Sequence, residues 1–151
     1  MIYGKKVSQY QKTNVETASG VELVVMCYEH AVRFLKEAKD HYDKRNYPEK
    51  AKALQKALDI INELKCNLDF EKGGEIASNL DSIYNYLIRI LLQGDIERRL
   101  ETFDQAVHIL EELKEAWENI SLQVAREEEN RSASISEAGG KTMALHASVA
   151  A

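Results

Sequence analysis

The sequence has few of the residues that would link it to a metal site or a disulfide framework. Its 151 residues include one proline, Pro48, and two cysteines, Cys27 and Cys66. The cysteines lack CxxC spacing, and the single Cys27-x-x-His30 pair would need two further ligands to hold zinc. We interpret both cysteines as reduced thiols, so no metal, no cofactor and no disulfide is expected.

Long apolar runs and excess positive charge are also missing. The formal net charge is −5, and no basic patch stands out that would favour nucleic acid as a partner. No segment reaches the roughly 18 charge-free apolar residues of a transmembrane helix. The first residues, MIYGKKVSQY, lack the apolar stretch of a signal peptide. We therefore expect a cytoplasmic protein that binds no nucleic acid and does not insert into membranes.

Motifs for catalysis are missing as well. There is no Glu-x-x-His of a di-iron bundle, no phosphate-binding glycine loop and no nucleophile–base arrangement. Met26 or His30 with His108 would be the candidates for haem ligands, but single helical histidines are more often exposed or hydrogen-bonded. We expect no catalytic residues and no enzyme activity.

What the sequence does contain is helical periodicity, strongest in Glu75–Leu92, EIASNLDSIYNYLIRILL. Apolar residues recur there at spacings of three and four, and further ones spread over most of the remaining surface. Gly73-Gly74 before the segment and Gly94 after it are typical helix boundaries. Such a helix must be surrounded by other helices or by a partner.

Three more amphipathic helices are predicted: about Val21–Lys44, from Pro48 to near Asp69–Gly74, and about Ile96–Arg126. Short connections between helices of similar length favour antiparallel neighbours. The expected fold is all-α, an antiparallel up-and-down four-helix bundle. The first half of the first helix and the central helix carry more apolar surface than we expect three neighbouring helices to cover.

The ends of the chain differ in composition from the bundle. Residues 1–16 are polar with spaced apolar residues and are predicted to form an N-terminal arm. Residues 17–126 are predicted to form the helical bundle domain, and residues 127–151, rich in Ser, Ala and Gly, are predicted to be a disordered, flexible tail. A less favoured interpretation lets Met143, Leu145 and Val149 dock on the bundle.

From about Val7 to Ile120 the order of motifs resembles the FliS-type flagellar secretion chaperones. The N-terminal motif is Tyr10 followed by Val15-Glu16-Thr17-Ala18-Ser19, and the middle motif is Gly73-Gly74-Glu75-Ile76-Ala77 with Asn79-Leu80. Tyr84, Tyr86 and Leu87 follow, and then Glu115-Ala116-Trp117. The sequence departs from the family at Gly20, where a proline is usual, and at Gly94-Asp95, where we expect a short turn.

The resemblance implies a cytoplasmic chaperone that binds the C-terminal segment of flagellin, prevents its premature polymerisation and delivers it to the flagellar type III export apparatus. An apolar groove suits an amphipathic client of this kind. The residues assigned to flagellin contact combine motif positions with positions of apolar excess: Val7, Tyr10, Val15, Leu23, Met26, Tyr28, Ile61, Leu64, Leu68, Ile76, Leu80, Tyr84 and Leu87.

Three hypotheses accompany this assignment. The arm, through Val7 and Tyr10, is hypothesised to cover the groove until flagellin displaces it; unchanged affinity and solubility after deletion of residues 1–16 would contradict this. A histidine phosphotransfer-like signalling bundle, with His30 or His41 as acceptor, is an alternative from another class. A structural bundle that dimerises through the same apolar arc is the third, and a homodimer of the client-free chaperone stays open.

Overall fold

The chain folds into four helices connected by short turns. The computed structural model describes the backbone of residues 20–150 and the side chains of residues 20–137. Within that range it contains four helices and no strand: α1 (Gly20–Asp43), α2 (Tyr47–Cys66), α3 (Phe70–Glu97) and α4 (Glu101–Ala150). The predicted arm with Val7, Tyr10 and Val15 lies outside the described residues.

Ion pairs between helices reveal the antiparallel arrangement. Along α1 and α4, Lys39 pairs with Asp104 at 2.8 Å and Lys36 with Glu111 at 3.6 Å. Lys114 then pairs with Glu29 at 3.1 Å, so residue numbers rise on one helix as they fall on the other. Lys50 at the start of α2 pairs in the same way with Asp95 near the end of α3. The predicted antiparallel up-and-down four-helix bundle is confirmed.

The core is one continuous apolar cluster to which all four helices contribute. It shows the three- and four-residue spacing of helix faces, and several of its side chains have no exposed surface. The surface ion pairs are screened by water and add little stability, so burial of this cluster holds the bundle together. The largest fully buried side chains are Tyr28, Tyr84, Leu35, Ile60, Ile61, Leu87, Leu91 and Leu110.

Helix α3 begins earlier than the glycine pair suggests. The Asp69 side chain accepts hydrogen bonds from the backbone N–H groups of Glu71 and Lys72, at 3.1 and 3.0 Å, and so caps the helix. The predicted boundary is present as a kink instead, because Gly74 has φ +50° and ψ −123° within the helix. Residues 70–73 therefore form an extra turn set at an angle to the rest of α3.

The prediction of a turn at Gly94-Asp95 is wrong. Helix α3 continues to Glu97, and the turn follows at Arg98, which has φ +56°. Gly94 is buried inside the helix, where an added Cβ would lie only 2.7 Å from Thr102 Cβ and 2.8 Å from Thr102 Cγ2. Close approach of α4, rather than a turn, requires glycine at this position.

Gly94→Ala is therefore expected to destabilise the protein. In an open helix this exchange stabilises by up to about 1 kcal/mol, but here the methyl group forces α4 outward at a cost of about 1–3 kcal/mol. Urea denaturation followed by circular dichroism measures the difference in unfolding free energy. Gly20→Ala is the control, because among the described residues no atom beyond the chain neighbours and the backbone of α1 lies within 4 Å of its added Cβ. A Gly94→Ala protein as stable as the wild type would contradict this packing.

Helix α4 extends to Ala150, beyond the end predicted near Arg126. Every described side chain from Leu122 to Glu137 is exposed, including Val124 at 45% and Ile135 at 66%. A helical stretch without tertiary packing is marginally stable in water. The flexibility of residues 127–151 stays a prediction, and limited proteolysis would test it.

Candidate functional site

An apolar groove lies at the end of the bundle where α1 begins and α2 ends. Its volume is about 430 Å³, and it is open to solvent along one side. All four helices contribute to its walls, with most residues coming from α1 and α3. The lining residues are Gly20, Leu23, Val24, Cys27, Leu64, Asn67, Leu68, Asp69, Lys72, Gly73, Ile76, Ala77, Leu80, Tyr84 and Trp117.

The kink in α3 shapes one end of the groove. Gly74 has a positive φ that L side chains rarely adopt, and this sets residues 70–73 at an angle to the rest of α3. Gly73 must also lack a side chain, because an added Cβ would lie 2.8 Å from Ala77 Cβ. The Gly73-Gly74 pair thus allows the capped first turn of α3 to form a wall of the groove.

Two buried tyrosines meet at the floor. The hydroxyl oxygens of Tyr28 and Tyr84 lie 2.6 Å apart and share a hydrogen bond, and their ring centroids are 6.5 Å apart. Burial raises the pKa of both hydroxyls above the ordinary value, so both are neutral at physiological pH. The pair is a fixed polar point beneath walls that are mainly apolar.

The Cys27 side chain lines the groove as an apolar group and is not a reactive thiol. Burial, and secondarily the Glu63 carboxylate, raises its pKa to about 11. The thiolate that would act as nucleophile or metal ligand is therefore scarce at neutral pH. Among the described residues, no group of three or more His, Cys, Asp or Glu side chains is placed to hold a metal ion.

Charged and amide groups lie at one edge of the groove. Asn67, Asp69 and Lys72 line it there. The Asn67 amide donates to the Glu63 carbonyl at 2.9 Å, and Asp69 is occupied as the cap of α3. The groove therefore combines an apolar interior with a polar rim, which is the usual composition of a protein-binding surface.

Of the thirteen residues assigned to client contact, six line the groove, three lie in the core, one lines another cleft and three lie outside the described residues. Leu23, Leu64, Leu68, Ile76, Leu80 and Tyr84 line the groove. Tyr28, Ile61 and Leu87 are fully buried in the core, with 0% exposure, so a client cannot touch them in this conformation. Val7, Tyr10 and Val15 lie outside the described residues.

Met26 lies on the other side of α1. It lines a second, shallow cleft between α1 and α4 together with Glu22, Val25, Glu118, Ser121 and Leu122. The first turns of α1 thus have a cleft on each side. These two clefts explain why the first half of α1 has more apolar residues than a single core-facing side requires.

Sequence reasoning missed four apolar residues of the groove: Val24, Cys27, Ala77 and Trp117. Trp117 is half-buried, packs against the core and lines the groove. Its position at helical spacing on α4 does not distinguish a core residue from one that lines a groove. Tyr86, by contrast, is 41% exposed and lies beneath the Arg89 guanidinium.

No helix among the described residues is long and apolar enough to cross a bilayer. His30 is half-buried, and burial lowers its pKa, which does not suit an exposed phosphoryl acceptor.

Comparison with known proteins agrees with the motif order. The sequence model of the family described as flagellar protein FliS matches residues 3–124. The flagellar secretion chaperone FliS of Salmonella typhimurium is 37% identical over 120 residues, which cover 76% of this chain and 89% of the relative. That of Vibrio cholerae is 34% identical over 115 residues, covering 74% and 85%. That of Bacillus subtilis is 26% identical over 126 residues, covering 83% and 92%.

The family match spans α1 to α3 and the first half of α4, and it includes every residue that lines the groove. The alignments with the three relatives cover 85–92% of their lengths. These relatives are named as secretion chaperones and not as enzymes. The chain belongs to the FliS family of flagellar proteins, a family of chaperones.

Proposed function

We propose that this protein is a cytoplasmic export chaperone that holds the C-terminal segment of flagellin in the apolar groove between α1 and α3. By holding that segment it prevents premature polymerisation of flagellin and assists delivery to the flagellar type III export apparatus. The observation that carries the proposal is the open groove itself, whose walls include the family motif around Gly73-Gly74.

The size and chemistry of the groove support a peptide ligand. A volume of about 430 Å³ accommodates a few side chains of a chain segment rather than a folded domain. Walls built from Leu23, Leu80 and Ile76 favour aliphatic side chains of the client, because burying them releases water from both surfaces. The groove would then be one contact region of a longer client segment.

Exposed apolar side chains near the groove also support a partner. Ile76 is 69% exposed and Phe70, in the turn before the kink, is 54% exposed. Contiguous apolar surface is a solubility liability in a free protein and commonly marks a binding site. A second copy of this chain is the alternative occupant, as in a structural or transient homodimer.

Size-exclusion chromatography with light scattering tests the proposal. The full chain is mixed with monomeric flagellin, and in parallel with flagellin lacking its C-terminal segment. We expect a one-to-one complex with the first and none with the second, because only the C-terminal segment supplies the amphipathic ligand. Suppressed filament growth in the presence of the chain, followed by turbidity, is the functional counterpart.

Two outcomes would contradict the proposal. Equal binding to both flagellins would place the contact elsewhere on the client. No complex, together with a free protein of twice the chain mass, would favour the dimerising structural bundle. Transfer of labelled phosphate from a response regulator to His30 or His41 would support the signalling alternative.

A further inference from the structure

Phe70 is the one phenylalanine that the fold leaves half-exposed. Phe34 and Phe103 are buried, at 7% and 2% exposure, whereas Phe70 is 54% exposed. Within residues 20–137 it is not one of the apolar side chains that pack against the core cluster. A single exposed apolar side chain is common on protein surfaces, so the position of Phe70 decides whether the ring has a role.

That position is the edge of the groove. Asp69 and Gly73, which belong to the same turn as Phe70, line the groove. Gly73 follows Phe70 by three residues, so the two are neighbours on one side of the turn. The turn is closed by its own hydrogen bonds: the Gly73 N–H donates to the Asp69 carbonyl at 2.8 Å, and the Lys72 N–H donates to the Asp69 side chain at 3.0 Å. Phe70 is therefore held beside the groove as part of a small, hydrogen-bonded unit.

Gly74 sets the direction of this unit. Its φ of +50° and ψ of −123° break the helical path between residues 70–73 and the rest of α3. Among the described residues, no atom beyond the chain neighbours and the backbone of α3 lies within 4 Å of an added Cβ, so the backbone angle and not crowding requires glycine here. An L residue favours ordinary helical angles, which would straighten α3 and move Phe70 from its present place.

A client held in the groove has to pass this edge. The volume of about 430 Å³ takes only a few side chains, so a longer client segment must leave the groove. At the edge formed by Asn67, Asp69 and Lys72 the lining is polar, and Phe70 is the large apolar side chain of the same turn. An apolar client side chain packed on Phe70 would remove the exposed part of the ring from water.

We propose that Phe70 contacts the client outside the groove, where it packs against an apolar side chain of the flagellin segment, and that Gly74 is the positioning residue that places Phe70 there. This inference rests on the proposed function. It adds a requirement on the client, which is a large apolar residue next to the part that fills the groove. Aromatic side chains are frequent among the residues that dominate protein interfaces.

Titration calorimetry of the full chain with a flagellin C-terminal peptide is the first test. Phe70→Ala is expected to weaken binding about five- to tenfold and to leave the urea midpoint unchanged, because the ring lies outside the core. Phe70→Leu keeps an apolar side chain and should weaken binding less than about threefold. Tyr47→Ala is the matched control, since Tyr47 is the first residue of α2, as Phe70 is of α3, and is 50% exposed at the opposite end of the bundle. Its affinity should stay within about twofold of the wild type.

A double-mutant cycle tests the role of Gly74. Gly74 is exposed and lies one turn from the start of α3, so Gly74→Ala should leave the core folded, which circular dichroism checks. Gly74→Ala is expected to weaken binding at least as much as Phe70→Ala. Adding Phe70→Ala to Gly74→Ala should then weaken binding by less than about a further twofold, because the ring is already out of place.

Peptides with single alanine replacements locate the contact on the client. We expect one apolar position whose replacement weakens wild-type binding about fivefold and binding by Phe70→Ala less than about twofold. Equal affinity of Phe70→Ala and wild type, or wild-type affinity of Gly74→Ala, would overturn the inference. So would an equal loss from Phe70→Ala with and without Gly74→Ala. The proposed function stands in these cases as long as the wild type binds the peptide, whereas a wild-type chain that binds no peptide would overturn both.

Discussion

Replacing Ile76 by glutamate is expected to weaken binding of the flagellin C-terminal segment more than about thirtyfold, while the bundle stays folded. Ile76 lines the groove yet is 69% exposed, so the exchange removes little from the core. In the complex, a client would cover the new carboxylate and strip its water without supplying a positive partner. Titration calorimetry gives the affinity, and circular dichroism checks the fold.

The matched control for this prediction is Ile96→Glu. Ile96 is in the same helix and is 82% exposed, but it does not line the groove. The same charge is therefore added to the same type of residue on α3, away from the proposed site. Affinity within about twofold of the wild type is expected for the control. An equal loss of affinity in both variants would mean that net charge, and not the groove, controls binding.

Replacing Leu87 by alanine is expected to lower the unfolding free energy by about 2–5 kcal/mol, because the buried cavity that remains cannot fully collapse. Leu87 has 0% exposure and lies in the core cluster. Binding by the fraction that stays native should keep nearly the wild-type affinity. The measurement is urea denaturation at a temperature where the wild type is fully folded, with calorimetry at low temperature for the affinity.

Leu92→Ala controls for the loss of a leucine from α3. Leu92 is 47% exposed, so its removal should cost no more than about 0.5 kcal/mol. Equal losses in the two variants would contradict the assignment of Leu87 to the core. A large loss of affinity in folded Leu87→Ala would show instead that this residue contacts the client after an opening of the bundle.

The number, order and core faces of the helices could be predicted because helical periodicity is a local property. In α1, Tyr28, Ala31, Leu35 and Ala38 recur at spacings of three and four, and all four are buried. In α3, Leu80, Leu87 and Leu91 point inward at the predicted spacing. Each of these positions follows from one helix and its own apolar face.

Groove and core could not be separated by the same reasoning. Ile61 and Ile76 are identical residues at apolar positions of their helices, yet one has 0% exposure and the other 69%. What distinguishes them is the path of the neighbouring helix, which a periodic pattern does not contain. The motif around Gly73-Gly74 identified the region of the groove through the family resemblance, and the kink at Gly74 supplied the physical reason.

Gly94 is a second position whose role depends on a neighbouring helix and cannot be predicted from the periodic pattern. A glycine between apolar segments favours a turn, but glycine is also used where two helices approach closely. Only the position of Thr102 on α4 decides between these uses, and that position depends on the packing of the whole bundle. The capping role of Asp69, in contrast, depends only on residues of the turn that follows it.

The position of Trp117 has a practical consequence. It is the one tryptophan of the sequence, and its side chain lines the groove. Its emission therefore originates from a single place in the molecule, next to where a client would lie. Occupancy of the groove can thus be followed by intrinsic fluorescence in the unmodified protein. An attached dye, by contrast, could bind in the apolar groove and compete with the client.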